Sequence, residues 1–582
     1  MCGIFAVSTQ DKNFEAGACV LKGLKALEYR GYDSWGIAVH NDQKTTLKKG
    51  TGKISQIDIT LDSGTEGLGH TRWATHGGVT EANSHPHQYG RVTLVHNGIF
   101  ENYLQVKKQF SAGSFNSETD SEVIAAVIHK HLEEGLSAKE ALAKSTYQIA
   151  GRFGIVVMIE GEEGLFAVRR GSPLILGRGE NEVFIASDIP AFLEYTKTVN
   201  YLDDEEMVHL HKGDAKFYDL KTLEKKEKRN IEVEWTPEQA EKGEYEHFML
   251  KEIFDQKDTI ARAINHEDED ILQAISLLQS TNGCYFTACG TAHKVIMAAE
   301  YFFADIAGRK INVVAASEME SSQRFIHANT TVVAVSQSGE TADILEVLEQ
   351  AKAKGSKILA ITNVESSSIA RIADVHLPIN AGIEKAVAST KATTSQMALL
   401  LLLAYAEKQD INKGREILRN TSSSINDMLN PRYEDHIRAV AESIVKHENM
   451  FIIGRKTLYP MALEAAIKIQ EVSYIHAQGF AAGEIKHGPI ALIEKGTPCL
   501  VIGDDLETLS NATELKSRGA YIIGVSAENH DIFDDWIKVP DCSTAQAIAS
   551  VIPVQILAYH LATLRGLDPD MPRNLAKSVT VK

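Results

Sequence analysis

The spacing of apolar residues divides the chain into blocks of different character. Across residues 2–219, short apolar runs recur with little helix between them: CGIFAVS, GIAVH, VTLVHNGI, FGIVVMI, GLFAVRR and EVFIASD. Their period and β-branched content predict strands, while SETDSEVIAAVIHKHLEE predicts a helix. Many strands and few helices predict stacked antiparallel sheets flanked by helices. Residues 220–268 begin with the charged runs KKEKRN and EWTPEQAEKGEYEH and read as a linker arm. Within that stretch FMLKEIFDQKDTIARAI has helical period and reads as a helix docked on the next block.

From residue 269 the pattern becomes strand, Gly or Ser loop, helix, repeated: GCYFTACG, INVVAASE, TTVVAVSQSG and KILAITN each precede a helical run. That alternation predicts a doubly wound parallel sheet over 269–410. The pattern returns at an offset of 164 residues, with YFTACG resembling MFIIGR and KILAITN resembling YIIGVSA. Gly290 then falls against Gly454 and Ile361 against Val525, so 435–565 reads as a second copy of one fold. Residues 566–582 hold two prolines and little periodicity, and read as a tail.

Length and charge narrow the options. A chain of 582 residues is too long for one core and implies three or four domains. A net charge of -18 argues against a broad nucleic-acid surface, which needs clustered Lys and Arg, but permits one local anion pocket. The six cysteines form no C-x-x-C pair, so neither a zinc site nor a disulfide framework is expected and reduced thiols fit best. MCGIFAVSTQ lacks the basic start of a signal peptide, and the longest uninterrupted apolar run, residues 397–406, is about half a membrane span. A cytoplasmic protein with no membrane partner is expected.

Cysteine at position two becomes chemically useful if Met1 is removed, because a free α-amine then sits on the nucleophile's own residue. With a pKa near 7.7–8.0, that amine can take the thiol proton at neutral pH. The plain alternative is a small residue opening a buried strand. Four motifs in the same block weigh against it: ALEYRGYDS, HTRWATHGG, VHNGIFEN and SETDSE. Amide hydrolysis needs an oxyanion hole, which Asn97 and the backbone N–H of Gly98 can form at a strand end. A free amino acid also needs a cation for its carboxylate and an anion for its ammonium, for which Arg72 and Asp120 are candidates.

This block resembles the class II, N-terminal-nucleophile glutamine amidotransferase domain. The resemblance implies an αββα sandwich and a glutaminase site formed by Cys2, Arg72, Thr75, His76, Asn97, Gly98 and Asp120. It further implies a thioester on Cys2, hydrolysed by water to glutamate.

In the second block, SQSGET lies between the strand TVVAV and the helix ADILEVLEQAKAK. Three hydroxyls and a glycine at a helix N-terminus make a phosphate cradle, and the CGT and VAST loops converge on the same sheet edge in such a fold. Farther on, Glu464, Lys468 and Glu471 share one helical face, and His487 sits in a glycine-bounded loop. A charged stripe is ordinarily a solvated face, and a loop histidine ordinarily a surface residue.

These segments, with the tail MPRNLAKSVTV, resemble the isomerase half of the glutamine-dependent hexose-phosphate aminotransferases, a pair of sugar isomerase (SIS) domains. The implied fold is therefore the α+β sandwich followed by two α/β doubly wound SIS domains, in a chain whose length resembles bacterial-type members. The implied reaction moves the amide nitrogen of L-glutamine to fructose 6-phosphate and isomerises it to glucosamine 6-phosphate. By the same resemblance Lys577 forms an imine with the sugar ketone, Glu471 moves a proton between carbons 1 and 2, and Lys468 assists. His487 opens the ring and serves the neighbouring subunit of a homodimer, while Trp73 gates an ammonia tunnel. Thr291, Ser336, Gln337, Ser338 and Thr341 match the phosphate set, with Val387 and Ser389 lining the sugar. No metal or organic cofactor is required by thioester, imine or proton-transfer steps.

One position departs from the family pattern: Ala292 stands where serine is usual after CGT, which removes one expected phosphate hydroxyl. Three other readings stay in view. An amidotransferase serving phosphoribosyl pyrophosphate or aspartate would carry a pyrophosphate loop or an SGG-type ATP loop, and neither is found in the second half. The same fold acting on another phosphosugar, for example as a deglycase, is left open by Ala292. A non-catalytic phosphosugar sensor would need none of Cys2, Lys577, Glu471 and His487.

Overall fold

The computed structural model describes residues 2–41, 44–111, 113–233 and 241–580. Met1, residues 234–240 of the expected linker and the last two residues of the expected tail lie outside the described residues. The chain divides into two compact units, residues 1–240 with 576–582, and residues 241–575.

In the first unit, Gly3–Thr9 pairs antiparallel with Glu66–Arg72 on one side and Glu182–Ala186 on the other. A second antiparallel sheet is centred on Phe153–Ile159, between Val92–Gly98 and Leu165–Arg170. Phe153–Ile159 shows why these strands are apolar throughout. Its Val156 and Met158 meet Ile4, Ala6 and Leu68 of the other sheet. The alternate residues Ile155, Val157 and Ile159 pack under Asp120–Glu133 and Ala138–Thr146. Ala16–Ala26 lies on the first sheet. The layers are therefore helix, sheet, sheet, helix. The charged segment after residue 219 contributes two short edge strands, Lys225–Lys226 and Ile231–Glu232, one to each sheet.

In the second unit two five-stranded parallel sheets have the same topology. The first runs Asn312–Ala315, Gly283–Ala288, Thr330–Ser336, Lys357–Thr362, Val375–Pro378. The other runs His476–Ala481, Asn449–Gly454, Pro498–Ile502, Tyr521–Ser526, Asp535–Lys538. Both place the first strand in sequence second in space, so the internal repeat extends to the hydrogen-bonding order. Helices Lys391–Glu407 and Gln546–Leu564 are apolar all round because both are almost wholly buried in one shared core. Ser543–Leu564 is long and apolar enough to cross a membrane, but 89% of that window is buried inside the protein. Ser550, Gln555 and His560 interrupt it, so a search for uninterrupted apolar runs passes over this core helix.

Candidate functional site

The candidate glutamine site follows from strand register. Pairing of Gly3 with Thr71 sets Cys2 beside the turn that follows Arg72. The Cys2 Sγ accepts a hydrogen bond from the Trp73 N–H at 3.1 Å and its thiol donates to the Trp73 carbonyl at 3.5 Å. Burial raises the thiol above its ordinary range, opposed by the Trp73 N–H and the nearby Arg72 and Arg30 charges. Stacking of the two sheets brings Asn97 to the same point, where its Nδ2 donates to the Cys2 carbonyl at 2.9 Å. Gly98 follows at φ 128°, and a Cβ there would lie 2.0 Å from the Arg152 carbonyl oxygen. Only glycine fits, so the backbone N–H at 98 is presented without a side chain.

Arg72 is buried, and its guanidinium donates to the carbonyls of His76, Gly77 and Gly78. It thereby holds the loop that carries Thr75, which is exposed, and His76, which is half-buried against Tyr103. Trp73 stands edge-on to Tyr32 at 5.7 Å. Asp120 is buried at the start of its helix, where Oδ2 accepts from the Phe100 N–H at 2.7 Å.

Cys2, Arg72, Trp73, Thr75, His76, Asn97, Gly98 and Asp120 all fall in this unit. Supporting residues that sequence reasoning passed over join them. Arg30 donates to the Cys2 carbonyl at 3.3 Å and to Asp188 at 2.8 Å, while the Tyr29 hydroxyl donates to the same Asp188 oxygen at 2.6 Å. Asp33 accepts from the Ala74 N–H at 2.9 Å. Arg30 and Asp33 lie inside the ALEYRGYDS motif, so a signal for them exists; Asp188 has none nearby in sequence.

In the second unit the SQSGET loop leaves the C-terminal end of Thr330–Ser336 and enters helix Ala342–Ala353. The Ser336 Oγ accepts from the Gly339 N–H at 3.0 Å and lies 3.2 Å from the Thr341 Oγ1. The Ser338 Oγ accepts from the Glu340 N–H at 3.2 Å, and the Gln337 carbonyl accepts from the Asn363 N–H at 3.1 Å. Gly339 has φ 66°, and a Cβ there would lie 2.0 Å from the Ser367 Oγ, which fixes the tight turn as a glycine position. Thr341, at the N-cap, makes no side-chain cap to the first turn of the helix. In the VAST loop the Val387 N–H donates to the Asp570 carbonyl at 3.0 Å, and the Ser389 hydroxyl to buried Glu384 at 3.3 Å. Ala292 is half-buried and packs against the apolar core.

The charged stripe is not a solvated face. Glu464 is fully buried and Lys468 is 1% exposed, with Lys468 Nζ 2.7 Å from Glu471 and 3.5 Å from Glu464. The Thr291 hydroxyl donates to Glu464 at 3.1 Å, tying the CGT loop of one parallel-sheet domain to the helix of the other. Burial above all, and next the Glu471 charge, push the Glu464 carboxyl up to about 7, with Lys468 pulling down. His487 is exposed at the end of a short helical turn. Lys577 lies half-buried in the irregular tail, which groups with the first unit from Ala576 onward.

Because the folded pKa of Glu464 stands above its ordinary 4.5, its contribution is fully present below about pH 4.5 and lost as pH rises through about 7. Glu464→Gln is therefore expected to gain stability relative to wild type at pH 8, with the difference shrinking as pH falls toward 4.5. Denaturant unfolding at both pH values checks the sign. A variant that is destabilised equally at both pH values would contradict it.

Known proteins extend these observations. A glutamine amidotransferase domain model matches residues 58–229, and a SIS domain model matches 277–406 and again 443–565. The chain is 40% identical to the glutamine–fructose-6-phosphate aminotransferase (isomerizing) of Thermococcus kodakarensis, over 100% of both chains. It is equally 40% identical, over 100% of both, to the protein of that name from Pyrococcus horikoshii. Among solved structures, the C-terminal domain of glucosamine-fructose-6-phosphate aminotransferase from Francisella tularensis is 32% identical with a TM-score of 0.52. That match covers 57% of this chain and 99% of the other. The two-unit architecture, both domain models and full-length identity agree: the chain belongs to the glutamine–fructose-6-phosphate aminotransferase (isomerizing) family.

Proposed function

We propose that this chain transfers the amide nitrogen of L-glutamine to fructose 6-phosphate and isomerises the product, yielding glucosamine 6-phosphate and L-glutamate. The observation that carries the glutaminase half is the meeting at Cys2 of the Trp73 N–H, on its sulfur, and the Asn97 Nδ2, on its carbonyl, from two different sheets. With Met1 removed, the Cys2 amine takes the thiol proton as sulfur attacks the glutamine amide carbon. The tetrahedral oxyanion is held by Asn97 Nδ2 and the Gly98 N–H. The proton passes to the departing nitrogen, ammonia leaves, and water cleaves the thioester to glutamate. The loop held by Arg72, with Trp73, Thr75 and His76, and the carboxylate of Asp120 bind the amino-acid end of glutamine.

In the second unit the phosphate rests on Thr291, Ser336, Gln337, Ser338 and Thr341 at a helix N-terminus, with Val387 and Ser389 against the sugar. His487 opens the ring, contributed to the partner's site in a homodimer; its exposed loop suits that role. Lys577 condenses with the C2 ketone to an imine, releasing water, and ammonia displaces the lysine. Glu471, paired with Lys468, then carries a proton from carbon 1 to carbon 2. The working arrangement is a glutaminase domain over 2–219, a linker over 220–268, SIS domains over 269–410 and 435–565, and a catalytic tail over 566–582, in a cytoplasmic enzyme. Incubating the protein with both substrates is expected to produce glucosamine 6-phosphate, and omitting either to produce none. Glutamate without any amino sugar would contradict the acceptor.

A further inference from the structure

Deep in the first unit, four histidines come together: His70, His85, His87 and His96, all buried. The glutaminase chemistry outlined above uses none of them. His70 lies one strand from Cys2 and bonds directly to the residue that supplies the oxyanion donor. Its Nε2 is 3.1 Å from the His96 carbonyl oxygen and 3.1 Å from the Asn97 Oδ1.

The two contacts decide a proton position. A carbonyl oxygen only accepts, so Nε2 must carry the hydrogen of the neutral ring. No described residue bonds Nδ1, so nothing favours the opposite tautomer. Burial pushes the His70 pKa down to about 3, so the ring stays neutral across the working range. The ring is also fixed in place by stacking on His85 at 4.1 Å, and the His85 Nδ1 in turn accepts from the His96 N–H at 3.2 Å.

Asn97 can present either end of its amide to the site, and only the NH2 end can stabilise an oxyanion. With Nε2–H of His70 facing Oδ1, the NH2 end is turned to Cys2, where it donates to the carbonyl at 2.9 Å. A flipped amide would set its NH2 against the His70 N–H and its oxygen against the Cys2 carbonyl oxygen. Both contacts would be repulsive.

We infer that His70 is the positioning residue for the Asn97 amide: its Nε2–H reads the amide oxygen and locks the NH2 end, the oxyanion donor, toward Cys2. The role rests on the proposed glutaminase reaction and acts through Asn97 alone, without contact to glutamine.

The test is a double-mutant cycle on glutamate release by the full chain. Wild type is measured first; absence of glutamine hydrolysis there would sink the glutaminase reading before any variant is compared. His70→Phe keeps the ring and removes the donor, and is expected to lower kcat about 10- to 100-fold with KM for glutamine changed by less than about threefold. His70→Gln, which returns an N–H, is expected to recover at least about tenfold of that loss. In an Asn97→Ala background the same His70→Phe change is expected to cost less than about twofold, because the residue it positions is gone. An equal loss in both backgrounds, or a rise in KM with kcat unchanged, would overturn the assignment. If His70→Phe does not fold, His70→Leu, which also removes the donor, is taken through the same two backgrounds: a loss of equal size with and without Asn97 overturns the assignment.

Discussion

Cys2→Ala is expected to abolish both glutamine hydrolysis and glutamine-dependent synthesis, with kcat falling by a factor on the order of 10⁴ to 10⁶, the scale of losing a catalytic nucleophile. Alanine keeps the backbone carbonyl that accepts from Asn97 and Arg30, so the strand and its supports are expected to stand. What disappears is the sulfur at the Trp73 N–H, and no other described cysteine shares that contact. Isomerisation of the phosphosugar makes no use of the Cys2 thiol and is expected to remain measurable. The discriminating assay follows glutamate release and sugar isomerisation in the same preparation. Glutaminase activity surviving above about 1% of wild type would remove Cys2 from the mechanism.

The second large effect is expected at the other end of the chain. Lys577→Ala is expected to lower amino-sugar formation by at least about 10³-fold, equivalent to about 4 kcal/mol of barrier, because no imine can form with the C2 ketone. Borohydride reduction in the presence of fructose 6-phosphate traps sugar on the wild-type protein and is expected to trap none on the variant. Glutamine hydrolysis is expected to persist, separating the variant from a misfolded one. Near-normal synthesis of glucosamine 6-phosphate by Lys577→Ala would show the imine assignment to be wrong.

Much of this architecture is legible in the sequence because it is written in short-range patterns. Strand, glycine loop and helix follow each other within a few residues, so both parallel sheets can be read, and the offset aligning Ile361 with Val525 survives as Lys357–Thr362 and Tyr521–Ser526 on equivalent strands. The runs CGIFAVS and FGIVVMI are continuous rather than alternating because both faces of those strands are covered, one by the opposing sheet and one by helices. Motif order also locates the glutamine residues. What sequence cannot convey is which distant groups meet. Asp188 reaches Arg30 from 158 positions away, through antiparallel pairing that leaves no local mark.

The stripe of Glu464, Lys468 and Glu471 illustrates the other limit. Spacing places all three on one helical face but does not say whether water or protein covers it. In the structure Glu464 and Lys468 are covered while Glu471 stays partly exposed, and Thr291 closes on Glu464 from another domain. His70 is visible as the first letter of HTRWATHGG, yet its part in orienting Asn97 depends on a ring tautomer fixed by the His96 carbonyl.

The most direct test of the central claim uses glutamine labelled with ¹⁵N in its amide, fructose 6-phosphate and an excess of unlabelled ammonium, with mass analysis of the products. The account predicts glucosamine 6-phosphate carrying ¹⁵N, formed with one glutamate per sugar and undiluted by the external ammonium. Glutamate accumulating without an amino sugar, or an amino sugar carrying only unlabelled nitrogen, would contradict it.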